Sequence, residues 1–460
     1  MIFTPLLASA SVGTLEFRSI AEPVRYTCPH AKFQRGKAQT IDTAAKTVRV
    51  RAERPGAPDS AAAAADQGVD LPEPPDSVEL DVEYDALVVA VGARNTTFGV
   101  KGVAEHALFL KELSDARAIR RTILRNFEMA SFAGTSPEDR DRLLSFVVVG
   151  GGPTGVEFSA ELHDLIREDL SWQYPEQAAR ATIHLVERGD VLGAFDEGLR
   201  AYCRTRFARQ GIRIVKGQVT EVSQGRLDLE DGTQMQFGML VWSTGVAPRR
   251  LVSTRAGPEF RRDGWGHLVV DGAMRAERDM PELSEEAEAE AAGAGGVGER
   301  EGGPAAVPPP DPEAAALASV RSKEVIPGVF AIGDCAAVEG MRLAATAQVA
   351  EQQGRWLADS MNKNPRWATG EDTEWMPGHG FRYQHKGSLA YVGSWTSVSD
   401  FSKVGDAAAD VVNGKTLQGV ASWIVWRSAY MSMLGTWRNR LQVPVDWFRT
   451  SVWGRDTSLF

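Results

Sequence analysis

Three glycines, Gly150, Gly152 and Gly155, follow the apolar run Ser145–Val149 in the order Gly-x-Gly-x-x-Gly. An apolar run that breaks into spaced glycines and then into helical periodicity is typical of a strand, a tight turn and a helix. In such a turn the first glycine permits the sharp change of direction. The second lets the main chain approach a pyrophosphate, and the third lets helix and strand pack closely. These residues therefore predict a dinucleotide site.

The start of the predicted helix has the features that phosphate binding requires. Pro153 and Thr154 lie at its first positions, where unpaired N–H groups and the positive end of the helix dipole attract an anion. The apolar periodicity predicts a helix over Val156–Leu170, followed by an extended loop around Ser171–Gln177.

A second strand is expected at Ala181–Glu187 and ends in an acid. In this position Glu187 is suited to hydrogen-bond a ribose 2′-hydroxyl and so favours NADH over NADPH. Arg188 follows at once and weakens that preference. The alternative is an ordinary strand-to-helix turn with a surface glutamate.

Three further apolar runs end in small residues: Tyr84–Ala93, Gly238–Gly245 and Gly328–Asp334. Each is predicted to be a short buried strand closing on a turn, and the repetition suggests two related nucleotide-binding domains. The residues at the strand ends that we assign to cofactor binding are Gly92, Thr244, Gly245, Gly333 and Asp334. Asp334 is suited to accept hydrogen bonds from ribityl or ribose hydroxyls, with capping of the next helix as an equal alternative. The predicted fold class is α/β, with two Rossmann-like domains.

Composition limits the remaining functions. The net charge of −10 over 460 residues argues against a nucleic-acid surface. Segments 54–77 and 282–313 are rich in Ala, Pro and acidic residues, and we expect them to be disordered insertions. Cys28, Cys203 and Cys335 form no Cys-x-x-Cys pair, which argues against a dithiol mechanism and the usual zinc sites, and no metal site is predicted. All three cysteines are expected to be buried.

At this point the chain resembles the type II NADH dehydrogenases, single-subunit flavoproteins that pass electrons from NADH to a membrane quinone. The resemblance rests on five ordered matches. They are Phe3-Thr-Pro-Leu-Leu7 with Val12-Gly-Thr-Leu-Glu16, Val149-Gly-Gly-Gly-Pro-Thr-Gly-Val-Glu157, Phe330-Ala-Ile-Gly-Asp334, Ala345-Thr-Ala-Gln-Val-Ala-Glu-Gln352 and Gly387-Ser-Leu-Ala-Tyr-Val-Gly393.

The resemblance implies FAD and NADH as cofactors, a quinone as acceptor and no proton pumping. It also implies a division of the chain. Residues 1–115 and 317–380 would form the FAD domain and residues 116–270 the NADH domain. An acidic, Pro-rich insertion would occupy 281–316, and residues 381–460 would be a membrane-associated region.

The same resemblance implies roles for four further side chains. Glu157 would lie near the nicotinamide, with a surface acid of the first helical turn as the alternative. Gln348 and Gln352, one turn apart on one helix face, match the family's Ala347-Gln-x-x-x-Gln motif on the quinone side, although glutamines at this spacing are usually only a polar face. Glu351 would help to deliver protons.

One departure concerns FAD. The family begins with its own glycine-rich βαβ unit that holds the FAD diphosphate, and this sequence starts after it, at Met1-Ile-Phe-Thr-Pro. We therefore expect a fragment or a shortened gene product with altered FAD affinity. No targeting segment is visible. The family implies the mitochondrial inner membrane as a peripheral location, with a plastid membrane as the alternative.

The C-terminal region is rich in tryptophan and arginine. Val420, Trp423, Ile424, Met431 and Leu434 form one helical stripe, and Trp426, Tyr430, Met433 and Trp437 form a second. Arg427 interrupts the apolar run, so the segment is too short to cross a bilayer. An amphipathic helix in the membrane interface is the favoured interpretation, and packing on the protein core or on a second copy in a homodimer is the alternative.

Two other functions compete with a quinone reductase. A related flavin reductase with two dinucleotide folds would share the domain plan, although its disulfide-reducing members need a cysteine pair. An NADH-binding remnant without FAD is the second alternative, because the N-terminal unit is missing from the sequence.

Overall fold

The structure is a computed structural model and describes residues 2–52, 77–279, 323–378, 380–402 and 416–458. The predicted insertion at 281–316 lies outside the described residues, and so does the one at 54–77 except for Ser77.

The strands have the following bounds in chain order: β1 Gly36–Asp42, β2 Thr47–Ala52, β3 Val78–Glu83, β4 Leu87–Val89, β5 Ala93–Asn95, β6 Leu108–Phe109, β7 Ser145–Val149, β8 Thr182–Glu187, β9 Ile212–Lys216, β10 Val219–Ser223, β11 Arg226–Leu229, β12 Gln234–Gln236, β13 Met239–Trp242, β14 Val246–Pro248, β15 Leu268–Val270, β16 Arg275–Asp279, β17 Lys323–Ala331, β18 Ala336–Val338, β19 Ser388–Gly393, β20 Thr396–Asp400 and β21 Thr416–Gly419.

The α-helices are α1 Leu7–Ser11, α2 Val24–Thr27, α3 Val103–His106, α4 Leu113–Ser131, α5 Pro137–Leu143, α6 Pro153–Leu165, α7 Ser171–Gln173, α8 Pro175–Arg180, α9 Glu197–Gln210, α10 Ala347–Lys363, α11 Pro365–Ala368, α12 Val420–Met433 and α13 Trp437–Trp453.

The first large sheet is fully parallel, in the order β6-β13-β7-β8-β9. Its central strand β7 carries Phe146 and three valines that are almost completely buried. Strands covered on both faces are continuous apolar runs, which is why β7 shows no alternation in the sequence. Parallel neighbours need crossover connections, and α6 supplies the one between β7 and β8.

The second large sheet is mixed, in the order β18-β15-β16-β17-β4. Strands β17 and β4 run parallel, so the turns at their carboxyl ends lie side by side. Strand β15 at Leu268–Val270 pairs with β16 and β18 in this sheet, although the predicted NADH domain extends to residue 270. The chain therefore leaves the first sheet after β13, at Trp242, earlier than predicted.

Smaller sheets connect and cover these two. Strands β1, β2 and β3 form an antiparallel meander, and β5 pairs with β14 between the two large sheets. Strands β19, β20 and β21 form a C-terminal sheet. Helix α12 follows β21 directly.

The helix after the glycine turn begins earlier than predicted and changes its helical type before it ends. Helix α6 ends at Leu165, a π-helical turn continues to Leu170, and α7 and α8 fill the stretch predicted as an extended loop around Ser171–Gln177. The loop prediction is wrong because Pro175 starts a helix at its first position, where a missing N–H is harmless.

The N-terminal residues belong to the core around the first sheet. Leu6, Leu7, Ala10 and Leu15 are buried in the same hydrophobic cluster as α4, α6 and β7. Residues 2–20 therefore pack against the predicted NADH domain, whereas the prediction placed them in the FAD domain.

Two further sequence predictions concern membrane crossing and cysteines. Among the described residues no helix is both long and apolar enough to cross a membrane. Cys203 and Cys335 are buried as expected. Cys28 is exposed, so that part of the prediction is wrong. It follows the short helix α2, in which no residue is buried.

Candidate functional site

The glycine turn between β7 and α6 has the geometry that its spacing predicts. Gly150 has φ +112°, and a Cβ atom there would lie 2.9 Å from Cβ of Thr244. A Cβ atom at Gly155 would lie 1.9 Å from the carbonyl oxygen of Gly150, so helix and strand leave no room for a side chain. At Gly152 a Cβ atom would meet no heavy atom within 4 Å. The second glycine therefore faces open space.

The N terminus of α6 has the features that suit a bound anion. Gly152 is the N-cap residue and provides no side-chain hydrogen bond, and Pro153 occupies the first helical turn. Thr154 is exposed in that turn. The first N–H groups of a helix have no partner within the helix, so those of α6 point into the open side of the turn.

A cavity of about 350 Å³ lies beside this turn. It brings together Gly150, Glu187 and Thr244, which the sequence singles out, with Arg188. The remaining walls come from residues that sequence reasoning missed: Phe98, Val100, Val149, Val186, Gly217, Gln218, Val219 and Trp242. Most of these are ordinary strand or loop residues, so their type carried no signal. Only the fold brings them to one cavity.

Glu187 is held by the main chain of the turn. One carboxylate oxygen, Oε2, accepts a hydrogen bond from Gly151 N at 2.6 Å. The other, Oε1, accepts from Gly189 N at 2.7 Å. Two fixed donors orient this carboxylate at the wall of the cavity, and a carboxylate oxygen has a second lone pair to accept a bond from a hydroxyl.

The predicted residues Gly92 and Gly245 lie at the connection between the two large sheets. Gly92 precedes β5 and Gly245 precedes β14, and these two strands pair. Both glycines have positive φ, +65° and +77°. A Cβ atom at Gly245 would be 2.3 Å from the ring of Phe98, whereas Gly92 faces open space. A ligand at the carboxyl end of β4 could therefore approach the main chain at Gly92.

Asp334 follows β17 at the matching edge of the second sheet. Its Oδ2 lies 3.7 Å from Lys111 Nζ, and both side chains are largely buried. The neighbouring Gly333 has φ +71°, and its N–H donates to Oε1 of Gln353 at 2.7 Å. Lys111 and Gln353 were missed from sequence. Ligands of open α/β sheets bind at the carboxyl ends of strands, and Gly92 and Asp334 both lie there.

Helix α10 carries the predicted quinone-side residues. Thr346 is its N-cap, accepting a hydrogen bond from Val349 N at 3.4 Å, and Ala347 is the first helical residue. Gln348 and Gln352 both contact the segment 384–387 through side-chain amides. Glu351 points elsewhere, since it forms an exposed ion pair with Arg355 at 2.8 Å.

Glu157 is buried in α6, which excludes the alternative of a surface acid. Its Oε1 accepts hydrogen bonds from Tyr391 N at 3.2 Å and from Trp426 Nε1 at 3.1 Å. Burial raises the pKa of Glu157 from 4.5 to about 8, because the charged form loses its hydration. The two donors and the nearby Glu161 shift it less. At neutral pH Glu157 is therefore mainly protonated.

Residues from both the N-terminal and the C-terminal segments bind the same face of α6. Glu161 accepts hydrogen bonds from Ser9 Oγ and Thr14 Oγ1 at 2.6 and 2.7 Å. Asp164 accepts one from Tyr391 Oη at 2.6 Å. Glu157, Glu161 and Asp164 share one helix face because they are spaced by four and three residues. The sequence showed this spacing, but not that the face is buried.

Arg455 neutralises part of this acidic face. Its side chain is only 5% exposed, and Nη1 lies 2.7 Å from Oδ2 of Asp169 and 2.8 Å from Oε2 of Glu168. Glu161 Oε2 is 3.9 Å from Nη2. Close by, Arg427 lies over the rings of Trp423 and Trp447, at 4.0 and 4.4 Å from their centroids. Such cation–π contacts stabilise the half-buried guanidinium of Arg427.

The two helical stripes predicted for α12 have different surroundings. Trp426 and Leu434 are 3% and 0% exposed and belong to the core cluster. Val420, Ile424 and Met431 are exposed. Helix α13 adds a longer exposed face: Trp437, Leu441, Val445, Phe448 and Val452. Of these residues only Trp437 belongs to a predicted stripe. We call these eight exposed side chains the apolar face.

Comparisons with known proteins agree with this geometry. Residues 3–281 match the sequence profile of the family described as pyridine nucleotide-disulphide oxidoreductase, and residues 385–456 match the NDH2 C-terminal domain. These matches agree with the predicted α/β fold of the FAD/NAD(P)-linked reductases.

Similar proteins occur in plants and yeast. The mitochondrial internal alternative NAD(P)H-ubiquinone oxidoreductase A1 of Solanum tuberosum is 35% identical over 471 residues, covering 100% of this chain and 81% of that protein. The mitochondrial external NADH-ubiquinone oxidoreductase 2 of Saccharomyces cerevisiae is 32% identical, covering 100% and 76%. The structure of NDH2 from Plasmodium falciparum in complex with NADH superimposes with a TM-score of 0.73 at 19% identity, covering 99% and 92%, which shows a shared fold.

Proposed function

The chain belongs to the family of type II NADH dehydrogenases, and from that premise we propose that it oxidises NADH and reduces a ubiquinone-type quinone through bound FAD. The observation that carries the proposal is the 350 Å³ cavity at the free N terminus of α6, where Gly150, Glu187 and Thr244 meet. The family relation further supports a reaction that moves no proton across a membrane.

In this proposal the NADH pyrophosphate lies against the open side of Gly152, where main-chain N–H groups of α6 provide hydrogen bonds and a positive dipole end. Glu187 accepts a hydrogen bond from the adenosine ribose, because its carboxylate is already fixed by two main-chain donors. Glu157, one turn further along α6, is proposed to lie near the nicotinamide. Its neutral form avoids placing a negative charge beside the reacting ring.

The residues of the second sheet fit a flavin cofactor. Gly92 leaves main-chain space at the end of β4, and Asp334 supplies acceptor oxygens at the end of β17. The N terminus of α10, at Ala347 and Gln348, adds free N–H groups. These residues would hold FAD, which accepts a hydride from NADH and passes electrons onward to the quinone. The protein's part is to bind, to orient and to exclude water.

The apolar face supports a membrane-bound site of action. Its exposed aromatic and aliphatic side chains continue from α12 to α13, and exposed apolar area of this kind is unfavourable in water. We propose that it lies in the membrane interface, with arginines such as Arg438 towards the lipid headgroups. A homodimer through the same face is the competing arrangement. The mitochondrial names of the relatives support the mitochondrial inner membrane as the location.

The test is a visible absorption spectrum of the purified chain, followed by addition of NADH and then of a short-chain ubiquinone. A flavin band that is bleached by NADH and restored by the quinone supports the proposal. Absence of a flavin band, with NADH binding retained, would instead support an NADH-binding protein without FAD. A flavin band that NADH bleaches but no quinone restores would indicate a different flavin reductase.

A further inference from the structure

The side chains of Gln348 and Gln352 are occupied by protein contacts. Gln352 donates from Nε2 to Gln384 O at 2.9 Å and accepts at Oε1 from Gln384 N at 3.0 Å. Gln348 donates to Gly387 O at 2.9 Å and accepts from Lys386 N at 3.3 Å. Each amide therefore binds the main chain much as a neighbouring strand would. The glutamines act as clamps on the segment Tyr383–Gly387.

The clamped segment holds a chain of groups with exchangeable protons. Tyr383 Oη lies 3.4 Å from Gln348 Oε1 and 3.2 Å from His385 Nδ1. The other ring nitrogen, His385 Nε2, lies 3.5 Å from Ser388 Oγ. An imidazole with a hydroxyl at each nitrogen can take a proton at one nitrogen and release another from the second.

Tyr383 and His385 are both partly accessible to water. Tyr383 is half-buried against α10, and burial raises the pKa of its phenol, which keeps the proton in place for donation. His385 is likewise half-buried, so water reaches part of the ring. Protons therefore have a route from solvent to Tyr383 through His385.

We propose that Tyr383 donates the proton that the quinone takes from solution, that His385 replenishes it, and that Gln348 and Gln352 are positioning residues. The proposal rests on the proposed function, since it assigns the quinone to the Gln348 side of α10. The overall reaction consumes NADH, one proton and the quinone, and yields NAD+ and the quinol. One of the two quinol O–H bonds forms on a quinone oxygen as the Tyr383 O–H bond breaks. The tyrosinate regains a proton from His385, which takes one from solution, and the second quinol hydrogen derives from the hydride that NADH supplies.

Other charged groups lie near Tyr383 and His385 and affect how proton transfer between them depends on pH. Lys386 lies on the same segment. Glu351 and Arg355 of α10 pair with each other. Asp400 of β20 lies opposite Ser388, and its carboxylate accepts hydrogen bonds from Asp196 N and Ser402 N. Because both carboxylates already have partners, His385 and Tyr383 remain the groups best placed for transfer.

The experiment compares His385→Gln and Tyr383→Phe with the parent protein carrying FAD, using two electron acceptors. A short-chain ubiquinone needs protons and ferricyanide does not. We expect quinone turnover to fall about 100-fold in either variant, in the range of lost general acid catalysis, with the quinone KM and the ferricyanide rate unchanged. The double variant should be no slower than Tyr383→Phe alone, because both residues serve one relay.

A second readout does not depend on turnover. In histidine-labelled protein, the NMR signal of His385, identified by its loss in His385→Gln, should change its titration midpoint in Tyr383→Phe. His106→Gln and Tyr26→Phe are matched controls, since both residues are exposed elsewhere on the surface.

Three results overturn the relay. They are full quinone turnover in His385→Gln, equal losses with quinone and ferricyanide, and multiplying effects in the double variant. A parent protein that holds FAD and oxidises NADH but reduces no quinone would instead refute the proposed function.

Discussion

Replacing Glu157 by glutamine tests the protonation state of this buried acid of α6. Both hydrogen bonds to this side chain end on Oε1, from Tyr391 N and Trp426 Nε1. A glutamine carbonyl accepts the same two bonds, and its NH₂ group replaces the carboxylic O–H. Glu157→Gln therefore reproduces the protonated form in shape and hydrogen bonding, but it does not titrate.

The sign of the pH effect follows from the raised pKa. Between pH 4.5 and about pH 8 the folded protein keeps the proton of Glu157, whereas the unfolded chain has lost it. Stability therefore falls as pH rises through this window, by up to roughly 1.4 kcal/mol per pH unit. Between pH 5 and pH 7.5 the parent should lose about 3 kcal/mol that Glu157→Gln does not lose.

The assay is urea unfolding of both proteins at a series of pH values, monitored by tryptophan fluorescence. Acids that do not interact with Glu157 contribute equally to both curves, so the difference reports Glu157 and its coupling to Glu161. The two proteins should be similar at pH 5, and the variant should be more stable at pH 7.5. Parallel curves over this range would show that Glu157 is charged at neutral pH, and the reasoning would be wrong. Glu157→Ala is the control for the loss of both hydrogen bonds. It should lower the free energy of unfolding by about 1–3 kcal/mol at pH 5.

Four further changes test the nucleotide site, the ion pairs of Arg455 and the apolar face. Gly152→Val should fold normally, because a Cβ atom there meets nothing within 4 Å, but it should weaken NADH binding by about tenfold or more, measured by titration calorimetry. Glu187→Gln should raise the ratio of NADPH to NADH turnover, since it removes a negative charge from the cavity wall. Arg455→Met should cost about 3–5 kcal/mol of unfolding free energy in urea, and less at pH 5 than at pH 8, because the carboxylates it leaves unpaired take up protons at low pH. Leu441→Ser with Phe448→Ser should lower binding to vesicles of anionic lipid in a flotation assay.

Each of these has a contradicting outcome, and three of them have a matched control. Gly264→Ala, also in open space, should leave NADH affinity unchanged, and unchanged affinity in Gly152→Val would move the pyrophosphate elsewhere. An unchanged ratio of NADPH to NADH turnover in Glu187→Gln would show that Glu187 does not recognise the ribose. Arg455→Lys should lose less stability than Arg455→Met, and equal stability of Arg455→Met and the parent would contradict the buried ion pairs. Trp172→Ser, 87% exposed outside the apolar face, is the control for vesicle binding, and a change from dimer to monomer with vesicle binding retained would favour the homodimer.

Deletion of residues 437–460 is a poor test of membrane binding. Helix α13 buries Val443 and Trp447 at 0% and 5% exposure, and Arg455 follows it. Removing the segment would open the core and release the acids of α6. Point substitutions on the apolar face leave these contacts intact.

The sequence predicted those parts of the fold that depend on residues close together in the chain. The spacing of Gly150, Gly152 and Gly155 gave the turn, and the β-branched run before it gave a buried strand. Strand β15 joins the second large sheet, which the sequence did not show, because a run of three residues, Leu268–Val270, carries no information about its pairing partners. Pairing partners are decided by contacts distant in the chain.

Some of the predicted site residues lie together in the structure, and others do not. Gly150, Glu187 and Thr244 line one cavity, and Gln348 and Gln352 share one helix face and clamp one segment. The roles of these residues remain predictions. Glu351 was selected by its place in the motif, yet its side chain pairs with Arg355 on the surface. Tyr383 and His385 were not selected, because their relation to Gln348 arises only when the chain folds back along α10.

Helix α6 serves two requirements that oppose each other. Its N terminus must leave N–H groups unpaired to bind a pyrophosphate, which removes the stabilisation that an N-cap provides, about 1 kcal/mol. The compensating contacts come from its buried face, where Glu157, Glu161 and Asp164 bind the N-terminal and C-terminal segments. Hydrogen bonds to buried carboxyls are directional, so they fix the rotation of α6 about its axis more strictly than apolar packing would. The C-terminal region thereby sets the orientation of the helix end that the nucleotide is proposed to use.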